Sequence, residues 1–137
     1  YLILIVFIFY KIKNFKNKMK LKLTFNNKVY HANMLDTPLT KQIIQMCPFE
    51  LKYQRSQEHE YFAKLPKATN AKGSKYESKA FKNQIWFFED WNSFCLLFND
   101  CDVSPWKIIH LGDFVEDISE DLKKASSYIN VKCELDN

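Results

Sequence analysis

The sequence predicts a mainly β protein: a closed or nearly closed antiparallel barrel of about eight strands with two short helices. Three observations lead there. Residues Lys20–Phe25 and Tyr128–Leu135, near opposite ends of the chain, both alternate polar and apolar side chains, the period of a half-buried strand. Neither has another obvious neighbour, so they are natural partners that would close the sheet. Between them, residues 84–111 (QIWFFEDWNSFCLLFNDCDVSPWKIIHL) carry three apolar runs separated by short polar breaks. That stretch holds all three tryptophans and four of the twelve phenylalanines, which marks it as the source of three central strands. Finally, 137 residues suffice for one domain with its own core, and with only two glycines and four prolines the chain is neither collagen-like nor a linker.

Residues 1–18 form a segment apart, and residues 19–137 form the domain. The run YLILIVFIFY is followed by lysines at 11, 13, 16 and 18. Ten apolar residues are too few for a helical span, which takes about 20. A signal peptide would need a basic start and a small-residue cleavage site. Two readings stand: the inner half of a membrane anchor with lysines on its cytoplasmic side, or a non-native extension ahead of a start at Met19. The complete strand pattern from Lys20 onward favours the second and a cytoplasmic domain. The first would make the protein membrane-tethered or exported.

Leu21, Leu23 and Phe25 share one strand face, Asn26-Asn27 supplies a tight turn that tolerates positive φ, and residues 28–33 alternate again, giving a β-hairpin. Thr37-Pro38 opens a helix as N-cap and first helical residue, with Leu39, Ile43, Ile44 and Met46 on its apolar face. It ends near Cys47, because Pro48 disfavours helical geometry in the residue before it. Residues 49–54 place Phe49, Leu51 and Tyr53 on one strand face. Residues 55–59 turn, and residues 60–64 return. Residues 67–79 form a polar loop, and Phe81 is expected to anchor the rejoining chain. Residues 84–89 and 93–99 are adjacent buried strands joined by a turn at 90–92. Residues 106–111 are a third strand, with Gly112 as its break. Residues 118–127 read as a short helix, with acids early and lysines late. Tyr128–Leu135 closes the chain with Ile129, Val131, Cys133 and Leu135 inward. No internal repeat is present.

The formal charge of +4 misleads as a guide to partners. Residues 1–18 hold four of the 20 Lys and Arg and no acid, so the rest of the chain carries 16 charges of each sign. A neutral body lacks the electrostatic footprint of nucleic-acid binding. Cys47, Cys95, Cys101 and Cys133 show no CxxC spacing and no nearby His, so no metal site is expected; buried free thiols are the favoured state over disulfides.

The order of elements resembles the small bacterial cyclophilin-like fold proteins, a minimal version of the cyclophilin barrel. The carrying pieces are the hairpin at 20–33, Asp36-Thr37-Pro38 with its helix, and Met46-Cys47-Pro48-Phe49-Glu50-Leu51. They continue with Tyr61 to Leu65-Pro66, Phe88-Glu89-Asp90-Trp91 leading into residues 94–98, and Ile109-His110-Leu111-Gly112. The likeness runs from Met19 to Leu135. Where the family usually shows Leu-Gly-Arg-Ile, this chain has Leu111-Gly112-Asp113-Phe114. Members of the family largely lack an assigned activity, so the resemblance implies a fold more than a reaction.

Catalytic chemistry finds little support. A prolyl isomerase needs an apolar proline pocket and an arginine near the prolyl nitrogen to favour the twisted amide, lowering a barrier of about 18–20 kcal/mol. Isomerase-active cyclophilins carry that arginine in a Phe-His-Arg strand followed by Gln-Gly-Gly. Neither motif is present, and the single arginine, Arg55, is expected as a solvated charge in a turn. No G-x-S-x-G elbow, HExxH motif or glycine-rich phosphate loop occurs. His31 falls on a polar strand face, His59 in a solvated turn, and His110 beside a backbone partner. The paired acids Glu89-Asp90 and Glu116-Asp117 adjoin turns or a helix start, as capping groups do.

What remains is aromatic. Trp91 lies in a turn and Trp106 follows Ser104-Pro105; together with Tyr61 and Phe62 they are the candidate surface for a peptide or small apolar ligand. The expected function is therefore a cyclophilin-like binding module without catalytic residues, metal or cofactor. A weak peptidyl-prolyl isomerase is the alternative, and a membrane-tethered interaction module the third.

Overall fold

The structure, a computed structural model, describes residues 3–6 and 19–136. The expectations for the rest of residues 1–18 lie outside the described residues; residues 3–6 form a helical turn with exposed apolar side chains. None of the described helices is long and apolar enough to cross a membrane.

The elements run β1 (Lys20–Phe25), β2 (Lys28–Met34), α1 (Pro38–Ile44), β3 (Phe49–Ser56), β4 (Glu60–Lys64), β5 (Lys79–Ala80), β6 (Gln84–Phe88), a 3-10 turn (Glu89–Trp91), β7 (Ser93–Leu97), β8 (Cys101–Asp102), β9 (Ile109–Phe114), α2 (Ser119–Lys124) and β10 (Tyr128–Leu135). Eight strands close an antiparallel barrel in the order β1-β10-β3-β4-β7-β6-β9-β2, and β5 pairs with β8 outside it. The chain ends form the seam: Leu21 pairs with Leu135 and Leu23 with Cys133. Closure leaves no barrel strand with an open edge.

Local chemistry accounts for the elements. Asn26 and Asn27 take φ of 52° and 63° at the first hairpin, the left-handed geometry that asparagine tolerates. Thr37 is extended and its hydroxyl accepts from the Thr40 amide at 3.2 Å, capping α1, with Pro38 at the first helical position. Asp117 accepts from the Ser119 amide (2.9 Å) at the start of α2. Both helices are shorter than the sequence suggests. The polar loop after β4 is pinned to α1 by a reciprocal pair: Gln42 Nε2 donates to Asn70 O and the Asn70 amide to Gln42 Oε1, both at 2.8 Å.

The barrel interior is aliphatic and aromatic. Leu21, Leu23, Tyr53, Tyr61, Ile85, Phe87, Phe94, Leu96 and Val131 are fully buried there. Cys47 and Cys133 share a thiol–thiol hydrogen bond at 3.9 Å and form no disulfide, and Cys95 and Cys101 are also free.

Five expectations need correction. Leu135, expected inward, is 40% exposed at the end of β10. Gly112 does not end a strand; β9 runs through it to Phe114. It pairs with Met34 on one side and Ile85 on the other, beside a register shift between Ile85 and Trp86. A Cβ there would sit 2.6 Å from the Asn33 carbonyl oxygen and 2.7 Å from the Met34 sulfur, so glycine answers a close strand approach. Phe81 is not an anchor; it is half exposed, and neighbouring Ala80 is the buried residue.

Arg55 is not solvated. Its guanidinium lies 4.7 Å from the Phe98 ring centroid and donates to Lys123 O at 3.0 Å and Glu58 Oε2 at 2.9 Å. It thereby satisfies carbonyls at the end of α2, where positive charge is favoured. Nor is His59 solvated, since its side chain is only 15% exposed. The other histidines behave as read: His31, on the outer face, bonds Glu116, and His110 Nε2 lies 3.0 Å from Gly112 O.

Two buried tyrosines differ in one respect. The Tyr61 hydroxyl donates to Ser126 O at 2.6 Å and lies within 3.3 Å of Leu122 O and Ala125 O. The Tyr53 hydroxyl meets no hydrogen-bonding group among the described residues. Tyr61→Phe should therefore lower unfolding free energy by about 1 kcal/mol, while Tyr53→Phe should be neutral or stabilising. Urea denaturation midpoints compare the two directly. Gly112→Ala should cost about 1–3 kcal/mol by overpacking against backbone; an unchanged midpoint would refute the close-approach account.

Candidate functional site

β6 and β7 have apolar side chains on both faces. Ile85, Phe87, Phe94 and Leu96 point into the barrel, while Trp86, Cys95 and Leu97 point out. The outward set forms a second cluster with Ala80 and Ile108, on the segments that carry β5 and precede β9. The small β5–β8 sheet and the Glu77–Ile108 bridge hold these segments against the barrel. Cover is incomplete. It leaves a groove of about 350 Å³ with Trp86, Phe88 and Cys95 on the barrel side and residues 101–108 on the other.

Trp91 and Trp106 both line this groove, and each is 60% exposed. Trp91 is held by Phe88 (ring centroids 5.1 Å, edge-on) and Phe62 (5.8 Å, tilted). The turn that presents it ends on Asn92 at φ 46°, whose side chain bonds Lys67 O at 2.8 Å and Thr69 Oγ1 at 2.9 Å. Trp106 is set by its amide bond to Val103 O (3.0 Å), and the Asp102 carboxylate holds Ser104 through both its amide and its hydroxyl. Those two bonds, the hydroxyl's first, hold the Asp102 carboxyl below its ordinary range. Trp86 is 2% exposed and rigidly placed: it stacks on His110 at 4.8 Å and donates to Gln84 Oε1 at 2.9 Å.

Of the four sequence candidates, Trp91 and Trp106 meet in the groove and Phe62 supports Trp91 from beneath. Tyr61 does not belong to this surface. It precedes Phe62 on β4, so it faces the opposite way, into the barrel. The sequence reading missed Trp86, Phe88, His59, Glu60, Asp90 and Asp102, all of which line the groove. A signal existed for the first two: alternation in β6 separates Ile85 and Phe87 from Trp86 and Phe88. The polar members come from three separate parts of the chain, the start of β4, the 3-10 turn and the end of β8, and left no local mark.

The groove thiols are poor nucleophiles. Burial, then the nearby Glu60 carboxylate, push Cys95 well above the ordinary thiol range; burial, Glu60 and Asp102 raise Cys101. Among the described residues no group of three or more His, Cys, Asp or Glu is placed to hold a metal ion. A wider and more open depression of about 590 Å³ adjoins the groove around Lys82 and Asp100, but it has no aromatic wall.

No curated protein matches the chain. Among solved structures it is similar to the solution structure of the hypothetical protein AF2241 from Archaeoglobus fulgidus, with a TM-score of 0.68 and 17% identity, covering 88% of this chain and 96% of that one. At that identity the likeness speaks for the fold alone. The sequence profile described as the Cyclophilin-like family matches residues 23–134, from within β1 to the last residue but one of β10. By its sequence and by its eight-stranded barrel, this chain belongs to the cyclophilin-like family.

Proposed function

We propose that the protein is a binding module whose aromatic groove takes up a peptide or a small apolar ligand without chemical turnover. One observation carries the reading: two tryptophans, each 60% exposed, line one groove, and the ring of Trp91 packs on Phe62 and Phe88. Covering the exposed part of one tryptophan, on the order of 100 Å², is worth about 2.5 kcal/mol at ~25 cal/mol per Å². A ring already packed on its neighbours, as that of Trp91 is, loses little side-chain entropy when a ligand arrives.

Isomerase activity is the competing reading, and Arg55 weighs against it. The single arginine of the chain is committed to Phe98, Glu58 and the end of α2, and it is not among the groove residues. The position where the family usually has arginine is Asp113, whose carboxylate faces His110 and Gln84. No arginine is thus placed to stabilise a twisted prolyl amide over the groove.

All three tryptophans line the groove, so intrinsic fluorescence reports on this site. Titration with apolar and proline-bearing peptides should give a saturable change. Trp91→Ala should weaken binding about tenfold or more, and Tyr61→Phe, on the other side of the sheet, should leave it unchanged. A protease-coupled proline assay should show no acceleration by the native protein. Acceleration that Trp91→Ala abolishes would transfer the groove to the isomerase reading.

A further inference from the structure

The groove is not electrically neutral. Glu60, Asp90 and Asp102 contribute three carboxyl groups to its lining, and no lysine or arginine is among the lining residues. This contrasts with a domain that, from residue 19 onward, carries 16 charges of each sign. The acids are distributed around the aromatic walls: Glu60 opens β4, Asp90 precedes Trp91 in the 3-10 turn, and Asp102 ends β8. Glu60 is 21% exposed; among the described residues its ion-pair neighbour is His59, with Nε2 at 3.7 Å, and it also meets the Cys95 thiol. Asp90 forms no ion pair with any described residue. Asp102 faces Lys79 across the β5–β8 pair, which makes it the weakest of the three as an attractor.

Resting on the reading of the groove as a binding site, we propose that its ligand is a cation: an apolar group that carries an ammonium, such as a primary amine or a lysine side chain within a hydrophobic segment. Two independent features of the wall select it. Trp91 and Trp106 are each 60% exposed, and tryptophan gives the strongest ring attraction for a cation. The carboxylates of Glu60 and Asp90 supply the long-range field, which the low-dielectric aromatic walls of the groove focus. A carboxylate-bearing ligand meets the same field with opposite sign and would leave Glu60 beside a like charge. The inference therefore narrows the ligand class from apolar to apolar and positively charged.

The test uses three soluble probes on one skeleton: 4-phenylbutylamine, 4-phenylbutanol and 4-phenylbutyrate. Each is titrated into the full chain at neutral pH, with tryptophan emission as the readout. The amine should bind about tenfold more tightly than the alcohol, and the butyrate most weakly. Added salt should shrink the difference between amine and butyrate. The double variant Glu60→Gln/Asp90→Asn should bring the three probes to within about threefold of one another; its far-UV circular dichroism and melting curve establish that it is folded. Equal or weaker binding of the amine relative to the alcohol overturns the charge preference and leaves the apolar groove standing. No saturable signal from any probe overturns the groove itself, and the charge preference with it.

Discussion

β6 and β7 lack a polar face. Every other placement in the molecule follows from the need to remove both of their surfaces from water. One side is solved by curling the sheet until β1 meets β10, which encloses Phe87, Phe94 and Leu96. The other side cannot be solved by the barrel at all, since Trp86, Cys95 and Leu97 point away from its axis. The chain answers with an outer layer built from the short β5–β8 sheet and residues up to Ile108. That layer is smaller than the surface it covers. The groove is the uncovered remainder, and its aromatic walls are continuous with the second core beneath.

This origin explains why the groove is both apolar and rigid. Trp86 and Phe88 are fixed by strand pairing to β7 and β9, with no loop in between. Trp91 rides on a turn whose left-handed end, Asn92, is bonded to the loop at Lys67 and Thr69. The acids enter from the edges, where strands and turns begin or end. The site thus combines a floor set by the sheet with a rim set by loops, the usual division between scaffold and variable chemistry.

The barrel was legible because period-two alternation and paired turn residues are local signals. The hairpin at Asn26-Asn27, the Thr37-Pro38 helix start and the pairing of first and last strands could all be read from short windows. What could not be read depended on distance in the chain. Gly112 looks the same in sequence whether it ends a strand or admits a close neighbour; only the approach of Asn33 and Met34 decides. Arg55 reads as a turn charge until α2, some 67 residues later, brings its carbonyls into range. Tyr61 and Phe62 were legible as occupants of opposite faces, yet adjacency alone placed them on one surface. The acidic rim draws on residues 60, 90 and 102, and no window of ordinary length contains all three.

The seam between β1 and β10 has a further consequence. Lys20 begins one strand and Leu135 ends the other, and the Asp136 amide donates to Lys20 O at 3.0 Å. The two ends of the cylinder's seam, Lys20 and Asp136, therefore lie side by side on the same rim. A polypeptide with that arrangement can be spliced into a loop of a host protein, or have its ends joined and reopened at another turn, without stretching a single rung of the ladder.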